Sequence, residues 1–235
     1  MGARMWDAQR AALPGWHVLT PSLPGFDGHP LTGEPTMAGY TRDLLATLDR
    51  EGVEQAVFAG LSLGGYVLFE LLRQAPARVR GLVLADTRTS VDTPERLAAR
   101  ERSIERARTD GASAIADEML PGLLGPTTHA RRPQVVAQVR ALIESQPPET
   151  IVAGLQTIMT RPDSAAVLPS IAVPTLIVVG DEDVITPPSD AQAMHRAVRG
   201  STLVTISGAG HMSNLEDPVA FNAALHGLLD TFPSL

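Results

Sequence analysis

The segment Gly60-Leu61-Ser62-Leu63-Gly64-Gly65 carries the strongest chemical signal in the chain. A serine between two glycines, directly after an apolar run and directly before a helical pattern, is the Gly-x-Ser-x-Gly arrangement of a nucleophile elbow. The chemistry dictates the residue types. A sharp strand-to-helix turn holds Ser62 in a strained backbone conformation and exposes its hydroxyl at the carboxyl edge of a sheet, while Gly60 and Gly64 leave room for close packing around it. The backbone N–H of Leu63, at the helix start, then faces any oxyanion that develops. No Gly-Lys-Ser/Thr follows, so the segment is not a phosphate-binding loop, and the spacing of Gly60 and Gly64 does not match a dinucleotide fingerprint. The plainer reading is a Gly-rich helix N-terminus with an incidental serine.

Two further segments bear on that choice. Gly180-Asp181-Glu182-Asp183-Val184-Ile185-Thr186-Pro187 places carboxylates in a loop after a strand pattern, where one could orient a histidine. Alone it reads as a solvated acidic turn. Gly208-Ala209-Gly210-His211 follows the last strand pattern, and its glycines let the histidine approach a sheet edge. Alone it reads as an inert loop histidine. Together, Ser62, Asp183 and His211 each follow a different strand pattern, in the order Ser…Asp…His. A nucleophile, an orienting acid and a general base would then meet at one edge of one sheet.

The elements that must position them are short apolar runs alternating with helical periods. Trp16 to Thr20, Gln55 to Ala59, Gly81 to Ala85, Pro174 to Val179 and Ser201 to Ile206 read as strands. They lack strict alternation, as expected of strands buried on both faces. Met5 to Leu13, Met37 to Arg50, Leu63 to Gln74, Ser189 to Val198 and Pro218 to Leu229 read as helices. The alternation predicts an α/β protein with a mostly parallel, doubly wound sheet. Thr93 to Pro162 interrupts it with helical patterns broken near Gly111, Gly125 to Pro133 and Pro147-Pro148. The predicted organisation is a core of residues 1–90 and 163–235 with a helical cap insertion at 91–162. The Glu/Arg-rich stretch Glu95 to Arg108 reads as a solvated helix face.

Composition narrows the function classes. The 235 residues are 44% hydrophobic, enough for a sizeable core. The net charge of −7 disfavours nucleic acid and anionic membrane surfaces as partners. No cysteine is present, so disulfides and thiolate chemistry are excluded. The histidines are scattered without helical metal-ligand spacing, and neither a metal nor another cofactor is expected. The N-terminus has no signal-like apolar stretch and no run is long enough to span a bilayer, which predicts a soluble cytoplasmic protein.

The chain resembles the α/β-hydrolase superfamily, in the small capped group that includes carboxylesterases, lactonases and haloperoxidase-like enzymes. The resemblance runs through Arg4-Met5-Trp6-Asp7, Pro24-Gly25-Phe26, the Ser62 elbow, Asp181 to Pro187, and Gly208 to His211 followed by Asn214 to Pro218. It implies that the acid is the one four residues before the proline, Asp183 and not Asp181, with Asp86 as the fallback. It also implies a serine hydrolase of a small carboxylic ester or lactone, acting through an acyl-enzyme. A serine at the nucleophile position argues against epoxide hydrolase and haloalkane dehalogenase chemistry. Acyl transfer, perhydrolysis, or a truncated and catalytically silent binding protein are the other uses of such a scaffold.

One expected feature is missing. The family begins with a strand that ends in a His-Gly motif, supplies the second oxyanion N–H, and lies between the Trp16 and Gln55 strands. The present chain shows neither, which predicts a start upstream of Met1 or a shortened form with altered strand pairing. Met119, Leu120, Leu123, Leu124, Ile158 and Met159 are candidate pocket-lining residues, though their spacing also fits cap core. Arg88 could bind a substrate carboxylate or sit at the surface, and His29 could approach the site.

Overall fold

Strand residues that are apolar on both sides of the chain need cover on both sides of the sheet, and the fold supplies it. The computed structural model describes residues 2–31 and 35–232. In chain order the elements are α1 (Asp7–Ala11), α2 (Met37–Arg50), β1 (Ala56–Leu61), α3 (Leu63–Gln74), β2 (Val79–Ala85) and α4 (Pro94–Leu123). There follow α5 (Pro126–Arg131), α6 (Pro133–Glu144), α7 (Pro148–Met159), β3 (Thr175–Gly180), α8 (Pro188–Ala197), β4 (Thr202–Ile206), α9 (Ser213–Glu216) and α10 (Pro218–Leu229). The strands form one parallel four-stranded sheet in the order β1-β2-β3-β4.

Successive residues of the central strands serve opposite faces. Leu82 and Leu84 of β2 and Ile177 and Val179 of β3 pack with Met37 and Tyr40 of α2, Phe69 and Leu71 of α3, and Met194 of α8. Val83, Ala85, Leu176 and Val178 pack on the other side with Phe221, Leu225 and Leu229 of α10. Full burial of each such side chain contributes roughly 1.5–3 kcal/mol. Among the described residues no helix is long and apolar enough to cross a membrane.

Between β2 and β3 the chain forms only helices. α4 is broken at Gly111, whose φ of 78° and ψ of −174° interrupt the helix at the predicted point. This helical stretch packs onto the carboxyl edge of the sheet: Leu123 accepts from the His211 N–H at 3.0 Å, and the Gly125 N–H donates to Glu216 at 2.8 Å.

Two expectations fail at the N-terminal side. Met5 to Leu13 is not one helix; it is a 3₁₀ turn over Ala3–Trp6 followed by the short α1. Trp16 to Thr20 is not a strand. Among the described residues it has no ladder partner, since there β1 pairs only with β2. The Ser62 N–H donates to Ala85 O at 3.0 Å. By the two-residue period of a strand, the N–H groups of Val57, Ala59 and Leu61 therefore face away from β2. A cavity of about 630 Å³ runs along that free edge, with residues Trp16 to Leu23 on one wall and Gln55 to Ser62 on another. The expectation about the chain's start concerns Met1, which lies outside the described residues.

Candidate active site

The elbow begins at the carboxyl end of β1. Ser62 has φ 52° and ψ −112°, a positive φ that a non-glycine residue adopts only under constraint. Gly60 is what permits the turn, because a Cβ there would lie 2.5 Å from the carbonyl carbon of Gly64. Gly64 has a different role from the one expected. A Cβ on it would meet nothing within 4 Å, and it faces the cavity. The tight packing belongs instead to Gly65, against the side chain of Thr87. Thr87 Oγ1 in turn donates to the Ser62 carbonyl at 3.0 Å, bracing the strained residue from the end of β2. Leu63 opens α3, so its N–H has no acceptor within the helix and is free to serve a ligand.

Ser62, His211 and Asp183 come together. Ser62 Oγ lies 2.9 Å from His211 Nε2, and His211 Nδ1 lies 2.8 Å from Asp183 Oδ2. An ionised carboxylate only accepts, so Nδ1 carries the proton and Nε2 is left to accept from the serine. Both partners are buried, His211 at 2% exposure and Asp183 at 3%. Burial pushes the Asp183 carboxyl up. The His211 bond and charge and the donors of Thr186 outweigh it, holding the group below its ordinary pKa. Thr186 donates its hydroxyl to Oδ2 at 2.7 Å and its N–H to Oδ1 at 3.0 Å, and the Ile185 N–H adds a bond of 2.8 Å.

Asp86, the fallback acid, does not touch His211. It is fully buried at φ 43°, accepts from the Gly180 N–H at 3.0 Å, and accepts a short bond from Ser213. Burial, with the nearby negative charge of Asp183, raises its pKa well above the ordinary value.

The histidine loop is tied in two directions. The Glu182 N–H donates to Ala209 O at 2.9 Å, linking it to the acid loop. Glu216, 2% exposed, accepts from the N–H groups of Gly125 (2.8 Å), Gly210 (2.9 Å) and Met212 (3.1 Å). Gly210 is required here, since a Cβ would collide with the backbone of Gly125. Sequence reasoning missed Glu216 and Thr186. Each lies within five residues of a residue it did select, but neither type is diagnostic without the fold.

The predicted pocket residues divide. Met119, Leu123 and Ile158 line the cavity that contains Ser62. Leu124 and Met159 do not: Leu124 caps α4 and is 2% exposed, and Met159 ends α7, both packed into the core cluster. Leu120 is core as well. His29 is exposed and away from the site. Arg88 is neither at the surface nor free, being 6% exposed and bonded to Asp92 at 2.6 Å. Arg100, read as part of a solvated helix face, lines the cavity.

The likenesses to known proteins concern the fold and the family. The chain matches the family described as "Alpha/beta hydrolase family" over residues 1–224. A thermophilic esterase from Thermogutta terrifontis superposes with a TM-score of 0.94 at 37% identity, covering 98% of this chain and 86% of that one. The enol-lactonase of Burkholderia xenovorans LB400 superposes at 0.89 with 28% identity, covering 97% and 87%. A Klebsiella pneumoniae (strain 342) protein, RutD, provisionally named a carbamate hydrolase, is 30% identical over 232 residues, covering 95% of this chain and 85% of its own.

Proposed function

The chain belongs to the α/β-hydrolase family, and from that premise we propose that it is a serine hydrolase cleaving small carboxylic esters or lactones. The observation that carries the reading is the unbroken chain of bonds from Ser62 Oγ through His211 to Asp183, opening on the cavity. The esterase and enol-lactonase likenesses support an acyl carbonyl as the group attacked.

His211 Nε2 takes the Ser62 proton as Oγ attacks the carbonyl carbon. The developing oxyanion is met by the Leu63 N–H at the start of α3. Asp183 fixes the imidazole tautomer and stabilises the imidazolium. His211 then gives the proton to the leaving alkoxide, which departs as an alcohol and leaves an acyl-enzyme on Ser62. Water, deprotonated by His211, attacks the ester of the acyl-enzyme, and the acid leaves as Ser62 regains its proton. Residues 91–162 act as the cap, setting the shape of the acyl site through Met119, Leu123 and Ile158. No cofactor takes part in these steps.

A fluorophosphonate probe on the parent and on Ser62→Ala tests the reading. Labelling of the parent that disappears in the variant is the expected result. A folded parent that neither labels nor turns over short-chain esters overturns it. Product analysis with added alcohol or peroxide separates hydrolysis from acyl transfer and perhydrolysis.

A further inference from the structure

The cavity that contains Ser62 is lined mainly by apolar residues, and Arg10 on its wall is paired with Asp7 at 3.1 Å. The cavity's charged lining among the described residues is Arg10, Arg80 and Arg100, with no Asp or Glu, although the net charge of the chain is −7. Arg100 is distinguished from the other two by its surroundings. It belongs to a cluster in which Asp92 faces three guanidinium groups. Asp92 Oδ1 accepts from Arg88 Nη2 at 2.6 Å and Arg161 Nη2 at 3.0 Å. Oδ2 accepts from Arg161 Nη1 at 3.0 Å and Arg100 Nε at 2.6 Å.

The cluster is set close to the nucleophile. The Arg161 guanidinium stacks over Tyr66, 4.5 Å from the ring centroid, and the Tyr66 N–H donates to the Ser62 carbonyl at 3.3 Å. It is also electrically unbalanced. Burial raises the Asp92 carboxyl, but the bonds from Arg161 and Arg100 lower it to about 2, so it faces the three guanidinium groups as an anion. Burial and, more weakly, Asp183 raise the Asp190 carboxyl against the charge of Arg88, so the three guanidinium groups face two carboxyl groups in all. The Nε groups of Arg88 and Arg161 are buried without a partner.

Arg88 and Arg161 have side-chain exposures of 7% and 2%, whereas Arg100 keeps 20%. Arg100 gives Asp92 only its Nε, and among the described residues its Nη groups have no acceptor. A guanidinium that anchors by Nε and presents both Nη groups has the fork geometry that takes a carboxylate.

We propose that Arg100 is a specificity-determining residue that receives a carboxylate on the substrate. The preferred substrates are then monoesters or lactones of short dicarboxylic acids, carrying one anionic carboxylate beyond the scissile carbonyl. This rests on the hydrolase reading above. Arg88 and Arg161 anchor Asp92 and hold the field positive, and Arg100 makes the contact.

The test compares the 4-nitrophenyl monoester of glutaric acid with 4-nitrophenyl pentanoate, whose acyl chain has the same length. The parent is expected to favour the anionic ester about tenfold or more in kcat/KM, the scale of one charge-assisted hydrogen bond, mostly through KM. In Arg100→Gln the ratio is expected to fall toward one, and Arg100→Lys to recover part of it. A purely structural role for Arg100 would lower both rates together and leave the ratio unmoved. Ser62-dependent hydrolysis with no anionic preference in the parent overturns this inference and leaves the hydrolase reading intact. If neither ester is hydrolysed, the hydrolase reading fails, and calorimetry with glutarate decides the binding claim. Saturable binding by the parent that Arg100→Gln loses supports it, and no binding overturns it.

Discussion

At its carboxyl end, β1 runs into a densely hydrogen-bonded region. The Ser62 N–H donates to Ala85 O, Thr87 Oγ1 donates to Ser62 O, and the histidine and acid loops are laced together through Glu182 and Glu216. Along its flank the same strand pairs on one side only, and Val57, Ala59 and Leu61 turn their N–H groups toward a cavity. The contrast teaches that the three candidate residues are set by the ends of the strands, where the bonds are dense, and not by the flank of the sheet. Ser62, Asp183 and His211 are delivered by the loops after β1, β3 and β4, and the order β1-β2-β3-β4 keeps those ends adjacent.

The largest effect expected on the site side is chemical. Ser62→Ala should lower kcat for a short-chain ester by about 10⁴–10⁶-fold, and Asp183→Asn by about 10⁴-fold through the wrong imidazole tautomer, with little change in KM. Steady-state kinetics on purified variants measures both. Retention of more than a tenth of the activity by either would remove the site from this edge altogether.

The flank side is sharpened by amide exchange. The amides of Leu82, Leu84 and Ile177 lie in paired, fully buried strands and should exchange only through large-scale opening. Those of Val57, Ala59 and Leu61 should exchange faster by about 10³-fold, because local access suffices. Equal protection across β1 and β2 would mean that the flank is covered in solution.

How much of this was legible in the residues follows the same division. The ranges of α2, α3 and α10 could be read directly, because helical periodicity and caps are local. That Ser62 and His211 would meet was legible because glycines mark their loops, while the choice of Asp183 over Asp181 came from the family resemblance and not from the loop itself. The Trp16 to Thr20 strand was not. An apolar run specifies a strand only when a neighbour accepts its ladder bonds, and that neighbour is a property of topology. The Asp92 cluster was hidden for a related reason. Arg161 lies 69 residues from Asp92 in the chain, and within Glu95 to Arg108 the period of charges looks the same whether a face meets water or Asp92.

The two elbow glycines give a smaller and more local test. Gly60→Ala forces a Cβ to within 2.5 Å of the Gly64 backbone, which cannot retreat without moving the elbow. It should cost about 1–3 kcal/mol in a urea melt and a large share of activity. Gly64→Ala places its Cβ in open space beside the cavity and should change stability by no more than about 0.5 kcal/mol. Equal losses at the two positions would contradict the assignment of Gly60 to packing and Gly64 to the cavity wall.

The finest distinction lies between two buried carboxyl groups at neighbouring strand ends. Asp183, held below its ordinary pKa, contributes stability that is complete above the unfolded value and is lost as pH falls through the lower native one. Asp86 has the opposite sign. Its native pKa lies well above the unfolded value, so the fold binds a proton there that the unfolded chain has already released. Stability therefore declines with rising pH from near the ordinary carboxylate pKa up through the raised native one. Asparagine preserves the shape of the protonated acid and can donate one bond, but it cannot ionise. Asp86→Asn should thus be no more stable than the parent at pH 4 and should gain on it steadily toward pH 8, with activity changed far less than in Asp183→Asn. Melting temperatures of both proteins across that range measure the gain. A parent-minus-variant difference that stays flat with pH would show that Asp86 is ionised in the fold, and the contrast between the two aspartates would then rest on hydrogen bonding alone.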